Sequence, residues 1–535
     1  MMQSAIVAPQ PDAVETGAVI LKEGGNAIDA AVACAFVQTV VDPLMCGLAG
    51  FGSMQLYLPD QGVHEFIDFH GKAPAAVKPD MWQDLIVGET DDGFGFLLEG
   101  RVNDLGHQSI TVPGSLKAFH EAHSRFGVLP WRRVIEPAMD FARNGYVLSA
   151  EVYYYWMSRD APGRTSVLDR LCYSASGRRI YCDETGNPKP IGSIIRNPHM
   201  ADTLSLIADK GSDVFYHGAI AQAIDADMQA NGGLLSADDL AHYETQSEKP
   251  LWGEYRGYPY ATNHPPGGGI MLVEMLNILE NFDLEAIGHN SPEYIRIVSE
   301  AMKIATADKD EHVGDPKFVD IPVERLTGQP YAKAQAERIK SGDMKHVERL
   351  GIPESRKTTH ISVLDRAGNA VSMTHSLGMM SGVITDGLGF MYNGCMGVFD
   401  PRPGNAGSIA PGKSRFSSVC PTILFSDDKP ALIIGAPGGT QIAIGVLQVI
   451  LNVIDFGMPI DKAVREPRFS ATSDAIDVSP RIPRYVYAPL ETLGYKFRRS
   501  PYSYDFASVH ALRVEDGHVS GAADILYGGG MALTI

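Results

Sequence analysis

At residue 358 this chain changes texture, and that change limits the folds open to it. Between about 115 and 345 apolar residues recur at helical spacing, as in WRRVIEPAMDFARNG, NPHMADTLSLIADKG and SPEYIRIVSEAMKIATADKD. From 358 onward the runs are short and β-type. HISVL and AVSMT flank the turn DRAGN, ILF and ALIIGAP follow, and the helix TQIAIGVLQVILNVID precedes further short strands to Ile535. Near the start, AVETGAVILKEGG and NAIDAAVACAFVQ read as two helices, the second capped by Asn26, and GSMQLYLP and VHEFIDFH alternate like strands. Helices concentrated early and strands late predict an α/β or α+β protein. Residues 341–357, SGDMKHVERLGIPESRK, are polar, charged and Gly/Pro-punctuated, the character of an exposed, cuttable segment.

The bulk numbers exclude several classes. A chain of 535 residues with 44% hydrophobic and 20% charged residues has ordinary globular composition. A formal net charge of -19 and no long Lys/Arg run argue against a nucleic-acid partner. The six cysteines are scattered without a C-x-x-C pair and read as reduced buried thiols, not as a zinc site or a disulfide framework. The first residues lack a basic start and an apolar run, and the apolar stretches elsewhere are broken before a bilayer's thickness. The expectation is a soluble cytoplasmic protein with no membrane span, or a periplasmic one had a leader been removed.

Three motifs invite a function and do not hold it, and a fourth is missing. GSIAPGKS, residues 407–414, fits the phosphate-loop pattern, but no strand precedes it, no helix follows, and Pro411 removes a backbone donor. In HEFIDFH the histidines His64 and His70 are six apart in a strand-like run, the wrong spacing for a zinc helix. DKDEHVGD, residues 308–315, lacks the glycine of a calcium loop and reads as a solvated helix end. No G-x-S-x-G elbow is present. Neither metal nor organic cofactor is called for.

One stretch carries a chemical possibility. RKTTHISVLDRAGNAVSMTHSLG opens, on its face, an ordinary β-hairpin. A cut between Lys357 and Thr358 would give Thr358 both a hydroxyl nucleophile and a free α-amine. An α-amine titrates near pH 7.7–8.0, so one residue can serve as nucleophile and base.

Eight ordered segments then resemble the gamma-glutamyltranspeptidase family. They are GGNAIDAAVACAFVQTVVDP, TVPGSLKAF, NGGLLSADDLAHYE, HPPGGGIMLVEMLNILE, EAMKIATADKDEHVGDP, TTHISVLDRAGNAVSMT, SSVCPTI and GAPGGTQI. The resemblance implies an N-terminal-nucleophile hydrolase fold, two stacked sheets between helical layers (αββα). It also implies a proenzyme that cuts itself before Thr358, leaving a large subunit, 1–357, and a small subunit, 358–535, as one integrated heterodimer. Thr358 would attack a substrate amide and pass the acyl group to water or an amine. Gly438 and Gly439 would supply oxyanion donors, Ser376 would bond the nucleophile, and Ser417 and Ser418 would bind a substrate carboxylate. Read alone, these are a strand-to-helix turn, a strand end and a turn.

The departures concern the substrate. Where the family has an arginine in D-F-R-x-x-A-P, this chain reads DFHGKAP, so His70, an imidazole mostly neutral at pH 7, replaces a bidentate fork, with Lys72 nearby. The family's hairpin asparagine is Gly378. In the stretch that holds the substrate amine, Cys395 takes the Gln place and Val398 the Asp place. Residues 399–415 are shorter than in members with a lid loop, which implies an open site. The reading is an amidohydrolase or acyltransferase for a small carboxylate-bearing amide lacking the usual α-amino acid head. Two rivals stand beside it: a true glutathione hydrolase with a rearranged pocket, and an unprocessed, non-catalytic homologue.

Overall fold

The computed structural model describes residues 3–90, 95–158, 163–347, 358–501, 506–525 and 530–535. Two antiparallel sheets form its centre. The first has seven strands in the order Met531–Thr534, Ala5–Ala8, Thr359–Leu364, Ala370–Ser376, Phe51–Leu58, Val63–Phe69 and Gln246–Glu248. The second has six: His518–Ala523, His510–Glu515, Lys429–Gly435, Thr422–Ser426, Tyr258–Thr262 and Leu251–Tyr255. Strands from before and after residue 358 share both sheets, so no dividing surface separates the two segments.

Helices cover the outer faces. Pro11–Lys22 and Ala27–Val41 pack on the first sheet, where Ile361, Val363, Val371, Met373, Met54 and Leu56 meet them in one apolar core. Gly269–Leu279, Pro292–His312 and Ile442–Ile454 cover the second sheet in another. The αββα expectation is met, and of the two classes the antiparallel pairing selects α+β.

Local signals behave as read. The Asn26 side chain accepts from the Ile28 and Asp29 N–H groups at 3.0 and 3.1 Å, and Asp29 returns the bond to Asn26 N at 2.9 Å. This reciprocal cap lets Ala27–Val41 start abruptly, although the helix is buried on every side.

Both faces of the strands nearest residue 358 are buried, and alternation sorts them by chemistry. At one end the gap between the sheets is apolar, filled by Leu364, Ala370, Ile423, Ile433 and Leu512. Toward Thr358 it turns polar. His360 Nδ1 lies 2.8 Å from Thr374 Oγ1 and Nε2 lies 2.9 Å from Ser362 Oγ, while Ser372 Oγ donates across the gap to the Ile434 carbonyl at 2.9 Å. Burial holds the His360 imidazole well below its usual titration range, so the ring is neutral.

Two expectations need correction. DKDEHVGD is a solvated helix end only in part: Asp310 and Glu311 are exposed, but Asp308, Lys309 and Asp315 are buried. Asp315 accepts from the Ser414 N–H at 2.7 Å and so ties the helix end to the 407–414 loop. Of the segment 341–357, the part up to Val347 is anchored: Lys345 N donates to Glu300 at 2.7 Å and Val347 N to Asp474 at 2.8 Å. Residues 348–357, Lys357 among them, lie outside the described residues. The cysteines are free and five of them are buried, but Cys172 and Cys182 are not scattered: their sulfurs stand 2.9 Å apart.

Candidate active site

Thr358 sits at the head of the strand Thr359–Leu364, in the middle of the seven-stranded sheet, and is 6% exposed. Its φ of +143° is a backbone region that β-branched residues avoid, so the surrounding fold holds it under strain. The antiparallel partner strand ends at Ser376, across from the head of the first. Thr358 Oγ1 donates to Ser376 Oγ at 3.0 Å, and Ser376 Oγ also accepts from the Gly378 N–H at 2.7 Å. The serine hydroxyl is thus held from the backbone side and meets the threonine hydroxyl on the other.

A buried polar network lies under the neighbouring Thr359. Gln38 Nε2 donates to Thr359 Oγ1 at 2.9 Å and to Gln10 Oε1 at 2.6 Å, and Gln10 Nε2 donates to Asp42 at 2.8 Å. His375 Nε2 donates to Gln38 Oε1 at 2.8 Å. Burial pulls the His375 imidazole down to about 3, which keeps it neutral. Burial pushes the Asp42 carboxyl up to about 7, against the bond from Gln10. These residues were not singled out from the sequence, where Gln10 and Thr359 stand 349 positions apart.

His70 follows the strand Val63–Phe69 and is 1% exposed. Asp68 pairs with its Nδ1, and Nε2 lies 2.6 Å from Ser417 Oγ. A carboxylate only accepts, so Nδ1 carries the proton of that bond, and Nε2 is left facing the Ser417 hydroxyl. The result is an Asp–His–Ser array on an alternate-residue spacing that places Asp68 and His70 on one face. Lys72 does not supplement it: its ammonium donates to the Glu244 carbonyl at 2.8 Å and lies over the Tyr243 ring.

Three distant segments meet beside Gly378, which has φ +62°. A Cβ there would stand 2.8 Å from Cys395 Sγ, 3.1 Å from Phe51 and 3.3 Å from an Arg415 guanidinium nitrogen. Glycine is required both for the turn and for this convergence. Burial raises the Cys395 thiol, with Arg415 pulling the other way, and the thiol donates to the Leu377 carbonyl at 3.5 Å. Val398 lies in a cleft of about 480 Å³ that Phe399, Lys413, Ser414, Arg415 and Phe416 also line.

The GSIAPGKS loop is no phosphate cradle. The Lys413 ammonium is turned into its own loop, donating to the Ala406 and Ser408 carbonyls at 2.8 Å each, and irregular chain, not a helix, follows. Gly438 and Gly439 follow the strand Lys429–Gly435 and open the helical segment leading into Ile442–Ile454, where N–H groups have no intrahelical partners. Gly438 has φ +149°, and a Cβ on it would stand 2.6 Å from that of Ala507. Gly435, three residues before, packs on the His360 ring.

A profile of the gamma-glutamyltranspeptidase family matches residues 13–534. The chain belongs to the gamma-glutamyltranspeptidase family. Among similar proteins of the family, the glutathione hydrolase proenzyme of Bacillus subtilis (strain 168) is 34% identical, over 97% of this chain and 89% of that protein. The acylase ACY 1 proenzyme of Pseudomonas sp. (strain V22) is 36% identical, over 97% and 91%. Of solved structures, a cephalosporin acylase from Bacillus halodurans superposes with a TM-score of 0.85 at 26% identity, covering 99% of this chain and 96% of that one. The gamma-glutamyltranspeptidase of Helicobacter pylori matches with a TM-score of 0.55 at 31% identity, over 62% and 90%. The family thus fixes an N-terminal-nucleophile amide hydrolase or acyltransferase, while its members in this comparison carry different substrate names.

Proposed function

We propose that Thr358 is the nucleophile of a self-processing threonine amidohydrolase or acyltransferase. Its donor is a small carboxylate-bearing amide without a standard α-amino acid head. The single observation that carries this reading is the environment of the Thr358 hydroxyl. It is bonded to Ser376, beside a corner where Gly378, Cys395 and Val398 offer no anion to a substrate ammonium. An ammonium taken into such a corner would lose its hydration without gaining a partner.

In the reaction, the Thr358 oxygen attacks the amide carbonyl while the Thr358 α-amine takes the hydroxyl proton. The proton passes to the departing amine as the C–N bond breaks, leaving an ester. Water or an acceptor amine then attacks the ester, restoring the threonine hydroxyl and releasing the acid or a new amide. Backbone N–H groups at Gly438 and Gly439 suit the oxyanion, and Ser417 and Ser418 suit the donor's carboxylate. Self-cleavage between Lys357 and Thr358 uses the same hydroxyl on the preceding carbonyl, and the strained φ at Thr358 supports that bond as the reactive one. The proenzyme names of the glutathione hydrolase and acylase relatives support processing, and the likeness to acylases supports a donor other than a γ-glutamyl compound.

The test has two arms. Denaturing electrophoresis of wild type should give fragments near two-thirds and one-third of the chain, and Thr358→Ala a single uncut, inactive chain. An uncut but active variant would refute the nucleophile, and an uncut wild type would favour the non-catalytic rival. The processed protein should then cleave glutaryl-, oxamate- or succinamate-type amides in preference to γ-glutamyl ones. Release of glutamate from glutathione at ordinary family rates would overturn the substrate reading.

A further inference from the structure

Arg415 is a buried cation without an anion. It is 6% exposed, its Nε has no hydrogen-bond partner, and one terminal nitrogen reaches only the Phe416 carbonyl, at 3.4 Å. No carboxylate among the described residues forms an ion pair with it. The four acids along the same cleft have other basic neighbours: Asp400 and Glu89 pair with Arg402, at 2.9 and 3.3 Å, Asp310 pairs with Lys309, and Glu311 stands 3.7 Å from His312. Buried guanidinium groups are rarely left this way, because the desolvation they suffer is normally offset by a paired anion.

The position of the group says what would complete it. The guanidinium carbon lies 4.5 Å over the centre of the Phe51 ring, and among the described residues the fork meets only neutral groups, the Phe416 carbonyl and the Cys395 thiol, with Nε unpartnered. Its nitrogen comes to 3.3 Å from the point a Gly378 Cβ would occupy, and the Gly378 N–H is bonded to the hydroxyl that holds Thr358. Two hydrogen bonds and one close approach therefore link the fork to the nucleophile. Lys413, whose charge could have served instead, is spent on two carbonyls of its own loop.

We propose that Arg415 is the specificity-determining group of this site, and that, together with the Ser417 and Ser418 hydroxyls, it binds the far carboxylate of a dicarboxylic acid monoamide whose carbonyl is presented to Thr358. The inference rests on the reading that Thr358 cleaves a carboxylate-bearing amide. It adds that the corner facing Gly378 and Cys395 is cationic, so a donor carrying an ammonium there is repelled and one carrying a carboxylate is held by two parallel hydrogen bonds.

The experiment compares processed wild type, Arg415→Gln and Arg415→Lys on succinyl-, glutaryl-, butyryl- and γ-glutamyl-p-nitroanilide. Wild type should prefer the best dicarboxylic donor over the neutral butyryl one by at least about 100-fold in kcat/KM. Arg415→Gln should raise KM for that donor by at least about 10-fold, on the scale of a lost charge-assisted hydrogen bond, with a smaller effect on kcat. Arg415→Lys, keeping charge but not the fork, should fall between. The glutarate dianion should inhibit wild type competitively and Arg415→Gln at least about 10-fold more weakly. Appearance of the two processed fragments certifies that each variant has folded. If wild type cleaves the dicarboxylic donors and Arg415→Gln leaves their KM and glutarate inhibition unaltered, Arg415 is not the reader. If wild type cleaves only the γ-glutamyl donor, the underlying substrate reading fails instead.

Discussion

His70 Nε2 stands 2.6 Å from Ser417 Oγ, 347 residues away in sequence, while Asp68 holds the opposite ring nitrogen. The carboxylate therefore decides which nitrogen faces the serine. Asp68→Asn preserves size but can donate to Nδ1, which drives the ring proton to Nε2 and reverses the bond to Ser417. We expect kcat/KM for the best carboxylate-bearing donor to fall by about 10-fold or more, chiefly through KM. Steady-state kinetics on the processed variant check this; a loss confined to kcat would place the array in chemistry instead of binding.

Ser376 has two partners and no substitute for either. Removing its hydroxyl leaves the Gly378 N–H and the Thr358 hydroxyl without their shared acceptor. Ser376→Ala should lower kcat by roughly 10- to 100-fold, as expected of a group that orients the nucleophile and its proton. Self-cleavage should slow in parallel, since one hydroxyl serves both steps. Single-turnover rates and a gel time course, measured on the same preparation, test the pairing.

Asp42 makes stability depend on pH. Its carboxyl is raised by burial to about 7, and one of its oxygens has no hydrogen-bond partner. Between the unfolded value near 3.9 and that folded value, the native chain keeps a proton that the unfolded chain has released. Stability from this group therefore falls as pH rises through that window and stays reduced above it. Asp42→Asn removes the dependence. Its melting temperature should gain on wild type from pH 4 to 7 and then level off, with a stabilisation of up to about 4 kcal/mol at pH 8. An equal difference at pH 4 and pH 8 would contradict the assignment.

Elements whose causes are local were legible in the sequence. The Asn26 cap, the hairpin around DRAGN and the strand-to-helix turn at Gly438–Gly439 each depend on residues within a few positions, and each forms where it was read. The site is another matter. Asp68 could have been paired with His70, since strand alternation puts residues two apart on one face, but nothing in the sequence tells which side chain faces Ser417. Arg415 meets Phe51, Gly378 and Cys395 only after two sheets and their connections have folded, and the same letters could have sent it outward, as Lys72 was sent. The phosphate-loop pattern failed for the same reason: its lysine answers to carbonyls of its own loop.

The strand order of the seven-stranded sheet has a consequence for maturation. Thr359–Leu364 is flanked on one side by Ala5–Ala8, and Ala370–Ser376 by Phe51–Leu58, while Met531–Thr534 closes the edge beyond Ala5–Ala8. A peptide bond broken before Thr358 would free a terminus without freeing a body. The two polypeptides would remain laced through each other, insensitive to dilution, and neither could be expressed alone as a folded partner for later mixing. Such an enzyme would be one folding event followed by one chemical event, always in that order.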